Sequence, residues 1–174
     1  MRGCVGRAGG VGTGMGVDPR ILSDLFEDET LGAPEKAVGF VLWRVVHRYV
    51  REIDRVLAPV ELTHLQFTVL ALTAWMERSG DPVTQAAVAR FGDVHPMQVS
   101  QVLKALEAKG MVERSRNAPD TRAKRLETTE AGVAALRRAM PLAIEVQQQF
   151  FGRAGSPEGG FLTDLLRIDA GTVE

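Results

Sequence analysis

Gln98 and Gln101 stand three residues apart on one face of a segment whose apolar positions recur at helical period. A glutamine amide carries a donor beside an acceptor. It can therefore pair with N6 and N7 of adenine in a major groove, worth about 1–3 kcal/mol per well-made contact. Met97, one residue earlier, suits a thymine methyl, while Ser100 and Lys104 fall nearer backbone phosphates. Lys109 closes the segment, so polarity runs from neutral amides at the start to cations at the end. Taken alone, such a face reads most simply as solvated surface. The residues that follow argue for something more specific.

Met111 to Thr128 reads as a β-hairpin, with apolar Met111, Val112 and Leu126 flanking a tip rich in turn formers (Asn117, Ala118, Pro119, Asp120). Between Met111 and Arg125 the cations Arg114, Arg116, Arg122, Lys124 and Arg125 outnumber the anions Glu113 and Asp120, giving a local charge of +3. Extending back to Thr84 gives +4, in a chain whose total is −1. Positive charge is concentrated where a polyanion is to be met, and Arg114, Lys124 and Arg125 are the expected phosphate partners.

The elements that must hold these groups are legible. Pro96 suits a first helical position and Gly110 a left-handed stop; between them Val99, Val102, Leu103 and Leu106 form one buried stripe. Thr84 caps a short helix ending near Phe91, with Gly92 as its stop and a turn at Gly92-Asp93. Helix, turn, helix and hairpin make a winged helix-turn-helix, which lays its second helix in the major groove. The fold class is mainly α with a small β-hairpin wing, framed by N- and C-terminal helices. Upstream, Asp18-Pro19 opens a short helix with Ile21, Leu22, Leu25 and Phe26 on one stripe, for which packing against the core is the default reading. Pro34-Glu35 starts a long helix to about Ala58, whose apolar stripe is wide enough for two neighbours, one of them another subunit. Thr63-x-x-Gln66 is a capping box for the next helix. Downstream, Thr129 caps a helix to about Phe151 with Val133, Leu136, Met140, Ile144 and Phe151 on one stripe and a kink at Pro141. Ser156-Pro157 is a cap pair for a last apolar helix carrying Phe161, Leu162, Leu165, Leu166 and Ile168.

Asp120-Thr-Arg122-Ala-Lys124 followed by Thr129-Glu-Ala-Gly132 resembles the wing signature of the MarR-type transcription regulators. Leu62 to Leu70 resembles the family's entry to its second helix, and Val102 to Arg114 its recognition helix and exit, so the likeness covers roughly residues 35–169. Three departures stand out: His95 where an Asp or Ser cap is usual, Gln101 where Arg is common, and Thr128 where Leu is usual. The first two bear on which DNA sequence is read, not on the act of binding. The resemblance implies that Arg122 enters the minor groove, with Asp120 orienting its neighbourhood. It also implies a two-fold homodimer on double-stranded DNA, whose operator is a pseudo-palindrome with half-sites about 10 base pairs apart. Four cations per subunit then give a slope of log K against log[salt] near −7. A small anionic or phenolic effector in a cleft beside the dimer helices is implied as well. Trp43 and His47, four apart on one helix, with His64 and Phe67 on the next, are the candidate wall of that cleft.

At 174 residues, 45% hydrophobic and 25% charged, the chain has the composition of one globular domain. Residues 1–17 are glycine-rich and expected to be disordered, with Met15 an alternative start; 18–31 hold the extra helix; 32–174 form the main domain. Within it, 34–58 and 133–169 are the expected dimerisation helices and 62–129 the DNA-binding lobe. No apolar run approaches the roughly 20 residues of a membrane span, and the tail lacks the apolar centre of a secretory signal. The sole cysteine, Cys4, fits a reducing cytoplasm; a thiol-based redox response through it is one alternative reading. No phosphate loop, H-E-x-x-H or G-x-S-x-G is present, so no enzyme or cofactor is expected. His47, His64 and His95 lack metal-ligand spacing. The other alternative, a winged helix serving only protein contacts or dimerisation, gives no reason for a wing to gather five cations.

Overall fold

The computed structural model describes residues 16–28, 33–115, 125–156 and 159–171. They divide into two compact units, Met1–Val45 and Val46–Glu174. Cys4 and Met15, and the wing-tip residues Asp120, Arg122 and Lys124, lie outside the described residues.

In the first unit, helix α1 spans Pro19–Asp28. Asp18 starts it, its Oδ1 accepting from Arg20 N at 3.0 Å. The predicted stripe of Ile21, Leu22, Leu25 and Phe26 lies on one side of α1 and is exposed, 45–61%. The long helix also differs from expectation at its start. Pro34–Lys36 is a separate 3-10 turn, and α2 proper runs Val38–Leu57. Trp43 belongs to this unit, its ring stacked on Phe40 with centroids 6.1 Å apart.

The second unit carries the core. The end of α2 buries Ile53 and Leu57 completely and continues as a 3-10 turn, Ala58–Val60. Helix α3 (His64–Glu77) opens with the predicted capping box: Thr63 accepts from Gln66 N, and the Gln66 side chain accepts from Thr63 N. Strand β1 (Val83–Thr84) leads into α4 (Gln85–Phe91), capped by Thr84. Helix α5 (Pro96–Ala108) is followed by β2 (Val112–Ser115), β3 (Arg125–Thr128), α6 (Glu130–Phe151) and α7 (Gly160–Asp169). The wing is a three-stranded antiparallel sheet of order β1-β3-β2, with Val112 opposite Thr128 and Val83 opposite Leu126. Beta1 escaped the sequence reading because two residues leave no alternation to detect.

Gly92 ends α4 as expected, at φ −89°, and the left-handed residue of the Gly92-Asp93 turn is Asp93 at φ 47°. Gly92 is required by space, since a Cβ there would sit 2.9 Å from Leu72 Cδ1. On α6, Val133, Met140 and Ile144 are exposed, while the buried face is Ala135, Leu136, Ala139, Ala143 and Val146. Alanines let the helix axis approach the core closely, which a reading weighted towards large side chains misses. Helix α6 itself runs without interruption through Pro141. Finally, α7 is entered from Gly159 with no side-chain cap, not from Ser156-Pro157; Pro157 lies outside the described residues.

The wing base is joined to α6 through one compact node. Thr129 caps α6, its hydroxyl accepting from Gly132 N at 3.1 Å and donating to Gly110 O at 2.6 Å, while Thr129 N donates to Met111 O at 3.2 Å. Gly132 lies so close beneath the Met111 carbonyl that no side chain fits. A second tie joins the wing to α3: Thr128 N donates to both carboxylate oxygens of Glu77, each at 3.0 Å.

Candidate nucleic-acid interface

Helix α5 is anchored by Val99, Leu103 and Leu106, all fully buried. Each such side chain contributes about 1.5–3 kcal/mol relative to exposure, so the helix is held in one rotational setting. That setting turns Met97, Gln98, Gln101 and Lys104 to solvent and leaves Ser100 half-buried. Pro96 takes the first turn, and the unusual cap is explained by chemistry: His95 Nδ1 accepts from Met97 N at 3.2 Å, doing with a ring nitrogen what Asp or Ser does with oxygen. Gln85 on α4 donates to Pro96 O at 3.3 Å and fixes the helix-turn-helix crossing.

The cations sort into two kinds. Lys104 and Arg90, the latter on the last turn of α4, are exposed and lack an ion pair among the described residues. Arg114 is engaged by Glu107 at 3.3 Å with its side chain 17% exposed, and Arg125 by Glu127 at 3.2 Å. In both pairs Nε makes no hydrogen bond, so the guanidinium is held by charge alone and keeps donors unspent. Arg114 and Arg90 line a cavity of about 930 Å³ with Asp93, His95 and Gln85, between α4, the start of α5 and the wing base. Arg90 was counted as charge in the sequence and not as a contact; its place at a helix end beside the turn is the signal that was available.

Of the predicted effector residues in the second unit, Phe67 and His64 do not share a cavity. Phe67 lines an apolar cleft of about 510 Å³ with Thr68, Ala71, Leu72, Trp75, Arg78 and Met140. At its edge the Arg78 guanidinium carbon lies 3.1 Å from the centroid of the Trp75 ring. His64 is elsewhere: its ring meets Tyr49 edge-on at 6.0 Å, and its backbone N donates to Asp54 Oδ1 at 2.6 Å. Burial lowers the His64 pKa, with Asp54 pulling the other way, and burial raises that of Tyr49. His47 is exposed on α2. Trp75 and Arg78, three apart on α3, were missed because a tryptophan at helical spacing reads as core. No group of three or more His, Cys, Asp or Glu suited to a metal is gathered among the described residues. Nor is any single helix among them long and apolar enough to cross a membrane.

Residues 61–123 match the MarR family pattern. An uncharacterised HTH-type transcriptional regulator of Bacillus subtilis (strain 168), YdcH, is 37% identical over 135 residues, spanning 78% of this chain and 91% of that protein. A MarR-family regulator from Rhodococcus sp. RHA1 shares the fold with a TM-score of 0.68 at 24% identity, covering 81% of this chain and 97% of its own. The M. tuberculosis regulator MosR, solved in complex with DNA, has a TM-score of 0.65 at 25% identity, covering 78% and 96% respectively. The chain belongs to the MarR family of winged helix-turn-helix DNA-binding transcriptional regulators, which are not enzymes.

Proposed function

We propose that this regulator is a homodimeric repressor that reads a pseudo-palindromic operator and is released by a small aromatic or anionic effector. The observation that carries the DNA reading is the exposed face of α5, where Gln98, Gln101 and Lys104 stand on a helix locked by three fully buried side chains. Gln98 and Gln101 contact base edges, Met97 a thymine methyl, and Ser100 and Lys104 the backbone. Arg90 and Lys104 engage phosphate directly, while Arg114 and Arg125 do so by leaving Glu107 and Glu127 or by sharing them. The wing-tip assignment of Arg122, Lys124 and Asp120 rests on the sequence resemblance alone.

The dimer reading is supported by apolar side chains left in water. In the second unit these include Val46 on α2, Val133, Met140 and Ile144 on α6, and Phe161, Leu162, Leu166 and Ile168 on α7. Such density at helix surfaces is the mark of an interface. The effector reading is supported by the apolar cleft at Phe67, Trp75 and Met140, where Arg78 supplies a cation at the edge.

The test is a binding titration on duplexes selected by the protein from a randomised library, at several salt concentrations, together with light scattering. Among the described residues the two cations free of carboxylates, Arg90 and Lys104, give a slope of log K against log[salt] of about −3.6 in a dimer, steepening towards about −7 if Arg114 and Arg125 are drawn off their carboxylates, and further with any wing-tip cation that engages. No protection of any duplex at low salt, or a particle of only 18.9 kDa at binding concentrations, would refute the reading. Release of the duplex by phenolic or aromatic carboxylate compounds, lost in Trp75→Ala, is the outcome expected for the effector.

A further inference from the structure

Lys109 stands where a phosphate contact is easy to assign, yet its ammonium group is already committed. It is the C-cap of α5, which ends in a paired-bond stop: Gly110 N donates to Glu107 O and Met111 N to Leu106 O, both at 2.9 Å, with Gly110 at φ 65°. The 3-10 extension of α2 ends the same way. Glu61 N donates to Ala58 O at 2.9 Å and Leu62 N to Leu57 O at 3.3 Å, with Glu61 in the left-handed position at φ 56°. Lys109 Nζ bridges the two ends, donating to Glu61 O and, at 2.9 Å, to Gln66 Oε1. The same Gln66 oxygen accepts from Thr63 N at 3.3 Å, and next door Asp54 on α2 holds His64 N.

The ammonium therefore sits at the carboxyl end of the 3-10 extension of α2, where the partial charge is negative, and reaches from the end of α5 into the capping box that opens α3. A non-glycine residue holds a left-handed conformation only where its surroundings over-determine it, and at Glu61 the lysine is one of those surroundings.

We propose that Lys109 is a positioning residue for DNA docking: it pins the end of the recognition helix to the end of α2 and so sets the angle between them. In the dimer proposed above, on which this inference rests, that angle fixes the separation of the two recognition helices and hence the half-site spacing that is accepted.

The experiment uses the full chain and a duplex selected by the wild-type protein, with derivatives carrying one base pair inserted or removed between half-sites. Lys109→Met is expected to bind the parent duplex about tenfold more weakly, to discriminate less among spacings, and to keep the wild-type salt slope. Lys109→Arg is expected to restore the spacing preference. Gln66→Ala keeps every cation, removes one acceptor, and is expected to flatten the preference likewise; it decides the matter if Lys109→Met does not fold. A salt slope shallower by about 1.8, two phosphates per dimer, would make Lys109 a phosphate ligand and overturn the proposal. So would unchanged affinity and spacing profile in both variants. Failure of the wild-type protein to bind any duplex would instead overturn the underlying dimeric DNA reading.

Discussion

Substituting Gly132 by alanine isolates the joint between the wing and α6. An alanine methyl there would lie far inside contact with the Met111 carbonyl oxygen, 2.9 Å from Thr128 Cγ2 and 3.1 Å from the Met111 carbonyl carbon. Two of these three atoms belong to backbone, which cannot swing aside as a side-chain end does. Intrinsic helix preference favours alanine by about 0.8–1 kcal/mol. Against it stand overpacking, about 1–3 kcal/mol, and the weakened Thr129 N to Met111 O hydrogen bond, about 1 kcal/mol. The net is a loss of about 2 kcal/mol, or a fall in Tm of about 4–8 °C for a chain of this length. Thermal unfolding followed by circular dichroism, at one fixed protomer concentration, measures it. Gly39→Ala is the control, since nothing lies within 4 Å of the added methyl. It is expected to leave Tm unchanged or to raise it. If Gly132→Ala melts at or above the wild type, the close approach does not constrain the joint and the reasoning fails.

Other outcomes separate the roles on α5 and α3. Gln98→Ala is expected to lose about 1–3 kcal/mol on the selected duplex and relax preference at one base pair per half-site, with the salt slope unchanged. Lys104→Ala is expected to weaken binding to all duplexes alike and to make the slope shallower by about 1.8 in a dimer; anisotropy titrations at several salt concentrations distinguish the two. His95→Ala removes the cap on Met97 N and is expected to cost about 1 kcal/mol in urea unfolding, while His95→Asp restores it by giving the helix N-terminus an anionic acceptor. The lowered pKa of His64 means that the unfolded chain takes up the proton first as pH falls. Its contribution is therefore fully present above the ordinary value of 6.5 and lost as pH falls through the lower folded value. His64→Asn is expected to flatten that part of the stability–pH curve, and wild-type and variant curves that stay parallel would count against the assignment.

What could be read from residues alone was local in origin. The caps at Thr63, Thr84 and Thr129, the proline at the first turn of α5 and the left-handed Gly110 lie where their side-chain chemistry demands, because a cap is a contact between residues two or three apart. The buried stripe of α5 was legible for the same reason. Long-range facts were not. Which face of α6 turns inward depends on what lies opposite, and Ala135, Ala139 and Ala143 are selected by closeness of approach, not by hydrophobicity. The ion pairs at Arg114 and Arg125 are close in sequence, seven residues and two residues apart, but which carboxylate each cation meets depends on how the chain turns from α5 into β2 and on the pleat of β3, so both cations were assigned to phosphate without their carboxylates in view. The cleft at Phe67 and Trp75 takes Met140 from a helix more than sixty residues on, which no spacing rule reaches.

The Glu77 carboxylate holds the last amide of the wing's return strand by a forked grip, each arm 3.0 Å long. Two residues earlier on the same helix, Trp75 forms part of the cleft wall, and Arg78 follows directly after. The rod that borders the cleft is thus also the handle of the wing. The same helix also packs against α5, so cleft, wing and recognition helix share one rigid neighbour.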